Sequence, residues 1–228
     1  MSDHTNIVRI KAVNQALAGL LGQNFVFVGG AVSSLYADRE TREIRPTDDV
    51  DVLVEIYTRM AFAQLEEHLR SLGFKNDTSA KFVGRFLMDN LIVDFMPLEE
   101  KILGFNNKWY LEGFKNSILI ILDERNTVNI FKAPFFLAAK FEAFKSRGKN
   151  DGRVSTDFED IVYVLNNRSS IWQEMAESES VLREYLKTEF ADLLANRNVE
   201  EWLNAHISFS AGAANTYLLP NIRKFVTD

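Results

Sequence analysis

The stretch Phe25-Val26-Phe27-Val28-Gly29-Gly30, and the stretch Thr47-Asp48-Asp49-Val50-Asp51-Val52-Leu53-Val54 that follows it, decide the reading of this chain. Phe25 to Val28 is a short apolar run and reads as a buried strand. Gly29-Gly30 ends it, and Ala31 to Ala37 reads as a helix. Val50 to Ile56 alternates with acidic residues and reads as a second strand. Side chains two apart on a strand share a face, so Asp49 and Asp51 stand a few ångströms from each other. Two like charges that close are costly unless something neutralises them. Mg²⁺ does so, because it takes hard oxygen ligands and is usually shared with substrate phosphates. Without side chains, the backbone N–H groups of Gly29 and Gly30 can approach a phosphate at the start of the helix. Ser33 and Ser34, one turn further on, can add hydroxyl contacts.

Working outward, Ile7, Ile10, Val13, Leu17 and Leu20 recur at three- and four-residue steps, predicting an amphipathic helix over Asn6 to Leu21 with Gly22 as its C-cap. Arg59 to Leu72, ended by Gly73, repeats that periodicity. Lys81 to Met88 and Leu91 to Met96 flank Asp89-Asn90 and predict a hairpin, and Ser117 to Leu122 with Thr127 to Phe131 predict another. Pro134 then opens a helix that continues to Arg147. Thr156 with Glu159 reads as a capping box for a helix through Leu165. Val181 to Leu194 and Val199 to Ile207 read as helical as well. The expected fold class is α+β. A mixed sheet with flanking helices occupies residues 1–132, and a helical domain occupies 133–228.

A third carboxylate, Asp94, sits in the apolar run Leu91-Ile92-Val93-Asp94-Phe95-Met96. Burying it alone costs several kcal/mol as an order of magnitude. It makes sense if its strand lies beside the one bearing Asp49 and Asp51. Three carboxylates on neighbouring strands can hold two metal ions for in-line phosphoryl or nucleotidyl transfer. Each piece alone has a plainer reading: Gly-Gly as a tight turn, the Asp-rich run as a solvated loop, Asp94 as a turn cap. The joint order of strand, Gly-Gly, helix, Asp-x-Asp strand and later strand Asp points to the catalytic reading.

Composition bounds the rest. The 228 residues contain no cysteine, which excludes a disulfide framework, thiolate zinc sites and cysteine nucleophiles, and fits a reducing compartment. The polar N-terminal run carries no basic region followed by an apolar core, and no stretch approaches the ~20 apolar residues of a membrane span. The expectation is a cytoplasmic protein. The formal charge is −6, but residues 1–150 hold 19 basic and 19 acidic side chains while 151–228 hold 7 and 13. The acidic excess thus belongs to the helical part, and the first part is not barred from phosphate-bearing partners.

In the second half, Lys140 shares a helical face with Phe136 and Phe144 and is bracketed by alanines. An ammonium on such a face needs a fixed anion, which a nucleotide phosphate or Asp160 can supply. Asp157 and Asp160 share a face at i, i+3, although Asp157 in a first helical turn also suits the helix dipole without any function. His4, His68 and His206 lie far apart and read as surface or interfacial residues. Arg39, Arg42 and Arg45, and Lys81 with Arg85, read equally well as phosphate- or RNA-steering groups and as solvated charges. Trp109-Tyr110 reads as packing rather than a base-stacking platform.

These blocks resemble the DNA polymerase β-like nucleotidyltransferase superfamily, whose pattern of Gly-Gly, helix, Asp-x-Asp and later strand Asp falls on Gly29, Gly30, Asp49, Asp51 and Asp94. Within it the chain looks most like the AbiEii/AbiGii toxin-type enzymes. That similarity rests on Val28-Gly29-Gly30-Ala31, Arg45-Pro46-Thr47, Ala138-Ala139-Lys140-Phe141-Glu142-Ala143 and Asp157-Phe158-Glu159-Asp160-Ile161. Two departures stand out: Gly30 replaces the serine common at that position, and Arg153 is four residues from Asp157 instead of adjoining it. The resemblance implies a bilobed protein that transfers a nucleotide from an NTP, with two Mg²⁺ (or Mn²⁺) ions on Asp49, Asp51 and Asp94. It further implies Asp94 as proton acceptor, Gly29, Gly30 and Ser33 at the triphosphate, and Lys140 on a phosphate in the cleft, oriented by Asp160. The acceptor can be a tRNA end, a protein hydroxyl or a small molecule such as an aminoglycoside, and an antitoxin partner is implied. A non-catalytic nucleotide-binding module and a nuclease using the same metals are the alternatives.

Overall fold

The computed structural model describes residues 5–20, 24–38, 45–104, 107–148, 151–207 and 217–228. The chain divides into two compact units, one of Met1–Leu35 with Glu43–Lys132 and one of Tyr36–Arg42 with Ala133–Asp228.

The first unit is built on a seven-stranded sheet: β1 (Phe25–Val28), β2 (Asp49–Val54), β3 (Lys75–Asn76), β4 (Arg85–Met88), β5 (Leu91–Pro97), β6 (Ser117–Asp123) and β7 (Asn126–Phe131), in the order β3-β4-β5-β2-β1-β7-β6. The sheet is mixed: β2 runs parallel to β5 and β1 parallel to β7, while the other neighbours are antiparallel. Helix α1 (Thr5–Leu17) buries Ile10, Val13 and Leu17 at the predicted spacing, but ends earlier than expected; Gly22 lies outside the described residues. Helix α2 (Arg59–Ser71) starts where the Thr58 hydroxyl accepts the Ala61 N–H at 3.1 Å, and it buries Phe62, Leu65 and Leu69. Gly73 follows with φ +94°, a conformation that favours glycine. The two short helices α3 (Glu100–Leu103) and α4 (Tyr110–Lys115) have no counterpart in the expected elements. Each is too short to show a repeating apolar face. Trp109, at the start of α4, is buried, and Tyr110 meets Phe131 edge to face, so this pair packs.

Two readings shift. The segment after Tyr36 was expected to belong to the first domain, yet Tyr36 stacks on Phe136 at 4.5 Å, its carbonyl accepts from Arg168, and Asp38 accepts from the Ser169 N–H and hydroxyl. The strand expected over Lys81 to Met88 begins only at Arg85. Residues 81–84 form turns, and Gly84 passes so close to β5 that a Cβ there would lie 2.2 Å from the Phe95 carbonyl oxygen.

The second unit is helical: α5 (Ala133–Arg147), α6 (Thr156–Asn167), α7 (Ile171–Ala176), α8 (Ser180–Ala195), α9 (Val199–His206) and α10 (Leu218–Thr227). Every residue of α5 from Ala133 to Phe141 is buried, Lys140 included, so this helix is covered on all sides. It packs against α6, α7 and α8, and α10 closes on α7 and α8. Phe141 and Phe225 both stand edge-on to Phe190 in this core. The N-cap of α6 is Ser155, not Thr156. The Ser155 hydroxyl accepts the Phe158 N–H, so Thr156 is the first helical residue and Glu159 stands one place beyond the box position. Helix α7 was not expected from sequence, nor was α10, although α10 buries Leu218, Leu219, Ile222 and Phe225. No helix among the described residues is long and apolar enough to cross a membrane.

Candidate active site

Strand β2 alternates at its start, with Val50 and Val52 buried and Asp49 and Asp51 half-buried on the other face. Its parallel neighbour β5 sets Asp94 directly beside Asp51. The tight turn at Asp89-Asn90, where Asp89 takes φ 51°, pairs Met88 with Leu91 and therefore Arg85 with Asp94. One row across the sheet thus reads Arg85, Asp94, Asp51, Val28. Facing positions on adjacent strands put their side chains on the same face, so topology alone gathers three acids and an arginine. Ligand oxygens of Asp49, Asp51 and Asp94 all lie within 4.8 Å of one another.

Arg85 binds this group directly. Its Nε donates to Asp94 Oδ1 at 2.8 Å, and its Nη2 donates to Asp94 Oδ2 at 2.7 Å and to Asp49 Oδ2 at 3.1 Å. Hydrogen bonding to Asp94 outweighs the cost of burial and holds the guanidinium more firmly protonated than usual. Sequence reading left Arg85 undecided, although hairpin arithmetic from Asp89-Asn90 places it opposite Asp94. It missed Asn6 entirely. This wholly buried side chain accepts the Thr47 N–H at 2.9 Å and donates to the Arg45 carbonyl at 3.2 Å. The Thr47 hydroxyl in turn donates to the Asp49 carbonyl at 2.9 Å, so α1 pins the approach to β2. A lone Asn at the start of an amphipathic helix gives no sequence signal for such a role.

Gly29 lies against this cluster at the end of β1. It takes φ +74°, and a Cβ there would fall 1.8 Å from Asp51 Oδ2. Both conformation and space therefore demand glycine. Gly30 opens a seven-residue 3₁₀-helix (Gly30–Tyr36) rather than an α-helix. Ser33 does not present its hydroxyl: it is 0% exposed, and its Oγ has no hydrogen-bond partner among the described residues. Arg39 and Arg42 lie outside the described residues.

Lys140, Asp157 and Asp160 converge in the helical unit. Lys140 Nζ lies 2.6 Å from Asp160 Oδ2 and donates to Asp157 Oδ1 at 3.1 Å, with the Phe136 ring 5.6 Å away. Arg147 closes the group with two bonds to Asp157, at 2.7 and 2.8 Å. Burial opposes the charge on Lys140, but Asp160 and Asp157 outweigh it and hold its pKa above the ordinary lysine value. Burial likewise pushes Asp157 up, and Arg147 with Lys140 overcomes that and holds it below the usual carboxylate range. Lys140 as a residue is only 6% exposed, and two carboxylates already hold its ammonium. Arg153 pairs instead with Asp151 and Glu201. His68 is exposed, His206 bonds the Gly152 carbonyl, and His4 lies outside the described residues.

The carboxylate row suits a divalent cation. Its donors are hard oxygens on adjacent strands, close enough for one ion to touch all three. A cavity of about 650 Å³ in the helical unit, lined by Trp172, Arg183, Lys187 and Lys224, contains none of the residues singled out above.

No family model matches the chain. No curated protein matches it either. Among solved structures it is similar to the antibiotic-resistance factor ANT(2'')-Ia, at 16% identity and a TM-score of 0.52, over 83% of this chain and 95% of that one. It is also similar to an antigenic nucleotidyltransferase-like protein from Paracoccidioides brasiliensis, at 19% identity and a TM-score of 0.51, over 92% of this chain and 96% of that one. At such identities the likeness speaks for architecture alone, and the architecture is that of a nucleotidyltransferase fold.

Proposed function

We propose that this protein is a metal-dependent nucleotidyltransferase that moves a nucleotide from an NTP to an acceptor hydroxyl. The observation that carries this reading is the in-register meeting of Asp49, Asp51 and Asp94 beside the Gly29 turn. In this reading Asp49 and Asp51 hold Mg²⁺, and Asp94 completes the set. A bound Mg²⁺ supplies charge that stabilises the phosphate oxygens during transfer. Gly29 and Gly30 let the backbone approach the triphosphate. The acceptor oxygen bonds to the α-phosphorus as the bond to the β-phosphate oxygen breaks, pyrophosphate leaves, and Asp94 takes the hydroxyl proton. Lys140 and Asp160 act with Asp157 and Arg147 as one charged group that fixes α5 against α6.

For the acceptor, resemblance to an antibiotic-resistance factor in fold favours a small molecule. The AbiEii-like sequence blocks favour RNA or protein and a toxin–antitoxin setting. Incubation with α-labelled NTPs, Mg²⁺ and separate RNA, protein and small-molecule pools distinguishes these. Label in one pool, lost in Asp49→Asn/Asp51→Asn, supports the reading and names the acceptor class. Phosphodiester cleavage without any NTP requirement would replace it with a nuclease.

A further inference from the structure

Both oxygens of Asp94 already face guanidinium N–H groups, and the Arg85 Nη2 that takes Oδ2 also reaches Asp49 Oδ2. The guanidinium therefore links Asp94 and Asp49 and already supplies positive charge between them. We propose that Arg85 is a fixed cation of this centre, so that the cluster takes one divalent ion instead of two. This inference rests on the metal-dependent reading above and sharpens it.

Three physical points support it. Charge-assisted, two-pronged bonds between arginine and carboxylate are roughly twice as strong as neutral hydrogen bonds, so an ion competing for Asp94 must displace them. A second dication placed beside the guanidinium would also meet like charge at close range. The strand also fixes where this side chain starts. The Arg85 backbone is laddered opposite Asp94, its carbonyl accepts the Asp77 N–H at 3.0 Å, and the preceding Gly84 carbonyl accepts the Phe95 N–H at 2.8 Å. An arginine is charged at every pH the fold survives, which suits a constant counter-charge at a phosphoryl-transfer centre.

The test is a count of Mn²⁺ ions bound to the whole chain, read by electron paramagnetic resonance of the free ion. Wild type, Arg85→Gln and Arg85→Lys are compared, with folding checked by near-ultraviolet circular dichroism. The expected result is one Mn²⁺ in wild type, one in Arg85→Lys, which keeps the charge, and two in Arg85→Gln. Two ions in wild type, or a count that Arg85→Gln leaves unchanged, overturns the role of Arg85 while the metal centre stands. No Mn²⁺ on folded wild type overturns the metal centre and this inference together. If Arg85→Gln does not fold, the wild-type count alone decides between one ion and two.

Discussion

Two charged clusters organise this molecule, and they are built on opposite terms. In the sheet, Asp49, Asp51 and Asp94 meet Arg85, with Asp49 and Asp51 only half-buried. In the helical unit, Asp157 and Asp160 meet Lys140 and Arg147, with both acids and the lysine almost wholly buried. A buried charge must find its opposite inside the protein or lose several kcal/mol. Acids that keep access to solvent can instead recruit a cation. The comparison supports the proposed metal chemistry for the first cluster and a scaffold role for the second.

The largest expected effect breaks the comparison at its functional side. Asp51→Asn should lower nucleotide transfer by roughly a thousandfold or more, as the loss of a charge-stabilising centre does, while thermal unfolding barely moves. An unfolding midpoint that falls sharply with retained activity would make the sheet cluster structural. Lys140→Met is the reciprocal case. It takes the lysine away from buried Asp160, leaves Asp157 to Arg147 alone, and should cost about 3–5 kcal/mol by denaturant unfolding. If stability is unchanged and the NTP KM rises instead, Lys140 belongs to the phosphate site.

Gly29→Ala sharpens the boundary between the two roles. The left-handed conformation should cost about 1–3 kcal/mol, and the methyl group must push the Asp51 carboxylate aside. Activity should therefore fall by more than the stability loss explains, measurable as kcat at a temperature where the variant stays folded. A pH series separates the clusters differently. Asp157 has a depressed pKa, so its stabilisation is present above the usual carboxylate range and is lost as pH falls through its folded value. Lys140 has a raised pKa, so its share is complete below ordinary lysine titration and is lost as pH climbs through its higher folded value. Unfolding midpoints should show a plateau between these limits, and Lys140→Met should flatten its alkaline edge. The smallest effect concerns the scaffold alone: Ser155→Ala should cost about 1 kcal/mol through its lost cap, and Thr156→Ala much less.

How much of this was legible beforehand differs between the clusters for physical reasons. Period-two spacing gave Asp49 and Asp51 a common face, and an acid inside the apolar run of β5 announced a neighbour strand bearing something to meet it. Local geometry carries that much. The arginine needed one further step, the hairpin register, because its partner lies on another strand. Asn6 and Ser155 were hidden for different reasons: one acts through a contact with a distant loop, and the other differs from the expected cap by a single residue. Ser33 is the opposite case. Its position one turn after Gly-Gly suggested a hydroxyl contact, while the segment winds as a 3₁₀-helix and buries the side chain.

The claim that the sheet cluster is a cation-dependent nucleotide site is tested most directly by calorimetric titration with NTP, with and without Mg²⁺. Wild type is compared with Asp49→Ala/Asp51→Ala. The account predicts saturable NTP binding in wild type that weakens at least tenfold without Mg²⁺, and no Mg²⁺-dependent gain in the variant. NTP affinity that is indifferent both to the metal and to the two aspartates would contradict it.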